Sequence, residues 1–157
     1  MFNCHKTSIL QACCIFEKNK KMTSTVLYEG NLRTIATHLK SGSVIETDAP
    51  TDNKGKGERF SPTDLVATAL ASCMTTIMGI AANTHAINID GTLCEVQKIM
   101  TENPRKIGEI KVKITMPVAI SYTEKEKKIL EHAALTCPVH LSLHPDCKKS
   151  VEFVWND

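Results

Sequence analysis

Between Leu65 and Ile89 the chain carries no Asp, Glu, Lys or Arg, and that run constrains the fold more than any other feature. An uncharged segment of this length is either a membrane span, which needs about 20 predominantly apolar residues, or the inner helix of a globular protein. Thr68, Ser72, Thr75, Thr76, Asn83, Thr84 and His85 interrupt it, so it is too polar for a lone span. A helix apolar on nearly all sides and studded with small polar residues is read as a buried central helix. Its start is marked as well. Ser61 offers an N-cap oxygen and Pro62 suits the first helical position. The predicted helix runs from there to about Asn83, and no membrane association is expected.

Short strands are predicted before this helix at Val26–Tyr28, Leu32–Leu39 and Val44–Thr47, separated by turn signals at Gly30-Asn31 and Ser41-Gly42. Residues 48–57, rich in Asp, Gly, Pro and Lys, read as an exposed loop. After the helix, Asn88–Glu102 and Ile107–Val118 read as a strand pair. In the second of these, Ile110, Val112, Ile114 and Met116 alternate with Lys111, Lys113 and Thr115, the pattern of a half-buried strand. Thr123 and Glu126 form a capping box. The helix they open places Ile129, Ala133 and Cys137 on one face, and Pro138 ends or kinks it. A short turn over Val139–His144 and a strand carrying Val151, Phe153 and Trp155 follow. Strands and helices do not alternate one for one, which predicts an α+β fold rather than a doubly wound parallel sheet.

A chain of 157 residues, 42% apolar and 23% charged, suits one domain with a real core, assigned to residues 23–157. Residues 1–22 hold four lysines and one glutamate, which leaves the rest near −1. They read as a disordered extension, or as sequence upstream of a true start at Met22. The apolar run Ile9-Leu10 is too short for a signal segment. No basic face marks the chain as a nucleic-acid binder. Seven cysteines inside apolar patterns, in a chain able to build a core without staples, indicate a reducing compartment, here the cytoplasm.

Cys73 and Cys137 are the candidate reactive thiols, although periodicity alone favours plain packing for each, since free cysteine is among the most buried residue types. Cys137, His140, His144 and Cys147 offer a competing reading. Two thiols and two imidazoles at this spacing are a possible tetrahedral zinc set.

The stretch from Phe60 through Ser61-Pro62-Thr63-Asp64 to Ala71-Ser72-Cys73 resembles the signature of the OsmC/Ohr family of osmotically induced and organic-hydroperoxide-resistance proteins. Cys137-Pro138-Val139-His140 resembles that family's second-cysteine segment, 64 positions on. The resemblance covers about Thr25 to Trp155. It implies an OsmC-like fold built as an intertwined homodimer, with a peroxidatic Cys73, a resolving Cys137 and no bound cofactor or metal. It also implies an arginine that favours the thiolate, here Arg33, with Arg59 as the rival cation. The expected substrate is an organic hydroperoxide and the expected reductant a dithiol, such as a lipoylated protein. The family's helix-start motif usually carries a glutamate that holds the arginine. Thr63 stands there instead, and Asp64 or Glu58 is the expected replacement. Phe60, Met74, Ile77 and Met78 are candidates to line the substrate site, with plain core packing as the competing explanation for the methionines. The alternative function is a non-enzymatic OsmC-like protein that binds a small apolar ligand or senses oxidants.

Overall fold

A computed structural model describes residues 22–156, so the expectation for residues 1–21 lies outside the described residues. The chain divides into two compact units, the first ending at Phe60 and the second beginning at Ser61.

The first unit is an antiparallel meander of β1 (Ser24–Gly30), β2 (Arg33–His38) and β3 (Val44–Asp48). Gly30, Asn31 and Leu32 all take positive φ between β1 and β2, the left-handed backbone that a tight hairpin turn requires. The β2–β3 register pairs Thr37 with Val44 and, at the open end, Arg33 with Asp48. The loop after β3 is largely exposed, as expected, but Asp48, expected within it, ends β3 and is buried, and the loop is built rather than loose. Asn53 and Gly55 donate backbone N–H bonds to the Pro50 carbonyl at 2.9 and 3.0 Å, and Gly57 donates to that of Ala49 at 3.2 Å. A Cβ on Gly55 would lie 1.7 Å from the Ala49 carbonyl oxygen, so only glycine fits there.

The second unit opens with helix α1 (Pro62–His85). Ser61 caps it, and Ser61 and Asp64 complete a reciprocal capping box, so both expected start signals are used. Strands β4 (Leu93–Met100), β5 (Ile107–Thr115) and β6 (Lys148–Val154) form one sheet in that order, with β4–β5 antiparallel and β5–β6 parallel. Between β5 and β6 lie α2 (Glu124–Leu135), opened by the predicted Thr123–Glu126 capping box, and α3 (Pro138–Ser142). Strands and helices on this plan make the chain α+β.

Several expectations are corrected. β4 starts at Leu93 rather than Asn88, because Asn88 Oδ1 accepts the Asp90 N–H at 2.8 Å and Thr92 N–H reaches the Ile89 carbonyl at 3.1 Å. Those bonds commit the segment to a turn. The helix expected to run through Cys137 stops at Leu135. Cys137 takes extended backbone (φ −65°, ψ 146°) and caps α3, because a residue before proline is pushed out of the helical region.

Burial of α1 is one-sided. Ala67, Leu70, Ala71, Met74, Met78 and Ala82 face the core, the recurrence of an amphipathic stripe. Val66 and Ile80 remain 38% and 58% exposed. By length and composition α1 alone, among the described residues, passes as a membrane span. Its buried stripe instead packs in one cluster with Ile110, Val112 and Ile114 of β5 and Leu130, Ala133 and Ala134 of α2.

Candidate functional site

Cys73 sits on α1 between the buried positions Ala71 and Met74, and its own side chain is only partly buried. Cys137 is fully buried. Its cap position turns the sulfur toward α3, where it accepts the His140 backbone N–H at 3.4 Å. The two thiols, far apart in sequence, come together in one cluster, Cys73 packing against the core that holds Cys137, and both are free. Burial pushes the Cys137 thiol above its ordinary range, and the neighbouring Cys73 sulfur adds to this against the opposing backbone N–H groups of His140 and Val139. Cys137 is therefore held toward its protonated form.

That direction has a measurable consequence. In a chain whose other cysteines are replaced by serine, alkylation of Cys137 should rise with pH to a midpoint above the roughly 8.5 of a free thiol. Mass spectrometry of iodoacetamide adducts measures the profile. A midpoint at or below the free-thiol value would contradict the burial argument. Sign follows from linkage. A raised folded-state value leaves stability intact below the unfolded thiol's range and removes it as pH climbs through the folded one.

In the first unit, Arg33 is the organised cation. Its Nε and Nη2 donate in parallel to Asp48 Oδ1 and Oδ2 at 2.7 and 2.8 Å, and Nη2 also reaches Glu58 Oε2 at 2.9 Å. These bonds hold the guanidinium well above its ordinary range, Asp48 contributing most, and Arg33 in turn holds the Asp48 carboxyl low. Of the two expected arginine partners, Glu58 is used and Asp64 is not. Asp64 Oδ2 accepts the Ser61 N–H at 2.8 Å, while its Oδ1 binds Lys98 Nζ at 2.7 Å. Lys98 also donates to Thr63 Oγ1 at 2.8 Å, so the position where the family's glutamate would stand belongs to a lysine lock on the helix start. Arg59, the rival cation, pairs with Glu46 at 2.8 Å.

Asp48 and Lys98 are the residues that sequence reasoning missed. The turn signal at Ser41-Gly42 misplaces the register by two, since counting outward from it sets Arg33 against Pro50, whereas the strands pair Thr37 with Val44 and Arg33 with Asp48. Nothing local marks Lys98, which comes from a strand 34 positions after Asp64.

Met74 and Met78 are fully buried side chains of the core cluster. Ile77 is partly buried against that core, and Phe60 is 55% exposed. The proposed zinc set does not converge. Among the described residues no group of three or more His, Cys, Asp or Glu gathers for a metal ion. His144 turns to Asp146 at 3.6 Å, and Cys147 is buried with its sulfur 4.0 Å from the Lys148 carbonyl.

A family model described as OsmC-like protein matches residues 55–152. The chain belongs to the OsmC-like family. The fold agrees with that membership. A solved structure from Psychrobacter arcticus 273-4, named for osmotic stress induction and a detoxification response, is 50% identical, covers 86% of this chain and 97% of its own, and superposes with a TM-score of 0.81. An organic hydroperoxide resistance protein OsmC from Legionella pneumophila is 14% identical over 87% of this chain and 99% of its own, with a TM-score of 0.64. An organic hydroperoxide resistance protein from Elizabethkingia anophelis is 17% identical over 88% and 99%, with a TM-score of 0.65. These last two are likenesses of the OsmC-like fold. No curated protein matches the chain.

Proposed function

We propose that the chain is a stress-defence thiol peroxidase that reduces organic hydroperoxides through Cys73 and Cys137. The observation that carries this reading is the packing of a partly open thiol, Cys73, against the core cluster that holds the buried thiol of Cys137. The names of its OsmC-like relatives, which concern detoxification and hydroperoxide resistance, support it.

The chemistry balances. A Cys73 thiolate attacks the distal peroxide oxygen, the O–O bond breaks, and the alkoxide takes a proton to leave as alcohol. Cys73 becomes a sulfenic acid. The Cys137 sulfur then attacks Cys73, the S–O bond breaks, and the oxygen leaves as water with the Cys137 proton. The resulting disulfide is returned to two thiols by an external dithiol, such as that of a lipoylated protein, which supplies two electrons and two protons. Arg33 is proposed as the cation that favours the thiolate, since a free thiol is mostly protonated at neutral pH. A homodimer fits the exposed apolar positions Val66 and Ile80 of α1, and a reducing cytoplasm fits the free thiols.

The test is intact mass and free-thiol count after one equivalent of cumene hydroperoxide. The expected result is loss of two thiols with a mass decrease of two hydrogens, mapped to Cys73–Cys137. Retention of a reduced Cys73 would reject the peroxidase in favour of ligand binding.

A further inference from the structure

Of the buried side-chain nitrogens and oxygens among the described residues, His140 Nδ1 alone has no hydrogen-bond partner. Native structures seldom leave a buried polar atom unpaired, and those that do often use it. The same residue touches the proposed redox centre. Its backbone N–H donates to Cys137 Sγ at 3.4 Å. Cys137 caps α3 and His140 is the third residue of that helix, so the imidazole stands one turn from the sulfur, on the same side. Cys137 itself is fully buried. Its thiol must shed a proton to form a disulfide, and no solvent reaches it to take one.

The surroundings keep the imidazole ready to accept. Burial, and then the positive charge of Lys149 on β6, hold it below the usual histidine range, so the ring is neutral at pH 7. α1, against which α3 packs, carries no charged residue between Leu65 and Ile89, and of its titratable groups there, Cys73 and His85, Cys73 packs against the cluster that holds Cys137. A neutral imidazole has one N–H and one lone pair. With the proton on Nε2, the buried Nδ1 presents the lone pair. The residue as a whole is only partly buried, so a proton arriving at Nδ1 has a way out through Nε2.

We propose that His140 is the general base of the resolving step, taking the Cys137 proton at Nδ1 and returning one to solvent from Nε2. This deepens the peroxidase reading and rests on it. The Cys137 sulfur attacks the sulfenic sulfur of Cys73. As the S–S bond forms, the attacking sulfur turns positive and its proton acidic, and Nδ1 takes that proton directly or across one water. The S–O bond breaks with both electrons on oxygen, and the hydroxide takes a proton from solvent as Nε2 gives one up. The sum is one disulfide and one water.

The test is a single turnover of full-length, reduced protein with one equivalent of cumene hydroperoxide between pH 6.5 and 8.5. Samples are quenched in dimedone, and mass spectrometry reads sulfenic acid on Cys73 and the Cys73–Cys137 disulfide. In wild type the disulfide should form at one rate across this range, because the base is neutral throughout. In His140→Gln, with its fold checked by circular dichroism, sulfenic acid should accumulate and the disulfide should form about a hundredfold more slowly at pH 7. Its rate should then climb about tenfold per pH unit, as the thiolate fraction of an unassisted thiol does. Added imidazole should restore part of the rate in His140→Ala. The same profile in wild type and His140→Gln would overturn the proposal, as would a slower variant whose rate stays flat with pH, which is what loss of packing alone would give. A wild-type rate that itself climbs tenfold per unit would overturn it without any variant. A His140→Gln protein that never forms sulfenic acid while wild type closes its disulfide would place His140 in the attack step instead and overturn it as well. All these outcomes leave the peroxidase standing, whereas a Cys73 that stays reduced in wild type would remove the peroxidase and this role together.

Discussion

Cys73→Ser should abolish hydroperoxide turnover, by roughly a thousandfold or more, the scale seen when an essential nucleophile is removed. A serine hydroxyl neither ionises near neutral pH nor passes through a sulfenic state, so no other step can substitute for it. Cys137→Ser should behave differently. Its Cys73 still attacks once, but the sulfenic acid then has no internal thiol to condense with and proceeds toward sulfinic acid under excess oxidant. The pair of variants thus separates the attacking from the resolving sulfur. Cys94 is a useful control. Burial pushes its thiol above the ordinary range, and nothing in the proposed cycle involves it, so Cys94→Ser should keep turnover. Loss of hydroperoxide measured colorimetrically under a dithiol reductant, together with the mass of Cys73 peptides, reads all three. Steady turnover by Cys73→Ser would end the assignment.

Leu70→Ala should be among the costliest single truncations in the second unit. Leu70 is wholly inaccessible and shares one cluster with Met74, Ile114 and Leu130. Removing three carbons there forfeits their transfer free energy and leaves a cavity that the surrounding helix and sheet can only partly close. The expected loss is about 2–5 kcal/mol, roughly 12–24 °C in Tm for a loss of about 3 kcal/mol in a unit of this size. Val118, 83% exposed, supplies the comparison. Val118→Ala should change stability by no more than about 0.5 kcal/mol. Denaturant unfolding at one fixed protein concentration reads both, the fixed concentration being needed because association would add to apparent stability. Equal losses for the two variants would mean that the buried stripe of α1 does not carry the core.

The helix starts were legible because they are local. Ser61-Pro62 and Thr123 with Glu126 satisfy orphan N–H groups within one turn, so neither signal waits on the rest of the chain. The alternation in β5 was legible for a related reason. Side chains on a strand change face at each residue, and one half-buried strand shows its core side as a simple period.

Other features are set by partners far away in sequence. The helix predicted through Cys137 obeyed its apolar spacing until Pro138 forced extended backbone, and that made Cys137 a cap rather than a face residue. Met74 and Met78 have the spacing of either a ligand wall or a core, and only packing shows that both side chains are buried. Periodicity alone left Cys73 and Cys137 as plain packing residues, and resemblance to a family singled them out. Their proximity depends on α3 packing back against α1. Asp48 became the partner of Arg33 through strand register, while Asp64 was drawn off by Lys98 from β4. The amino-acid sequence by itself determined where segments begin, which side of each is apolar and which family the chain resembles, because those follow from neighbours within a few residues. Which thiol meets which and which carboxylate holds which cation were decided only by the tertiary structure, because a side chain bonds to what the fold brings within about 3 Å, whatever its distance along the chain.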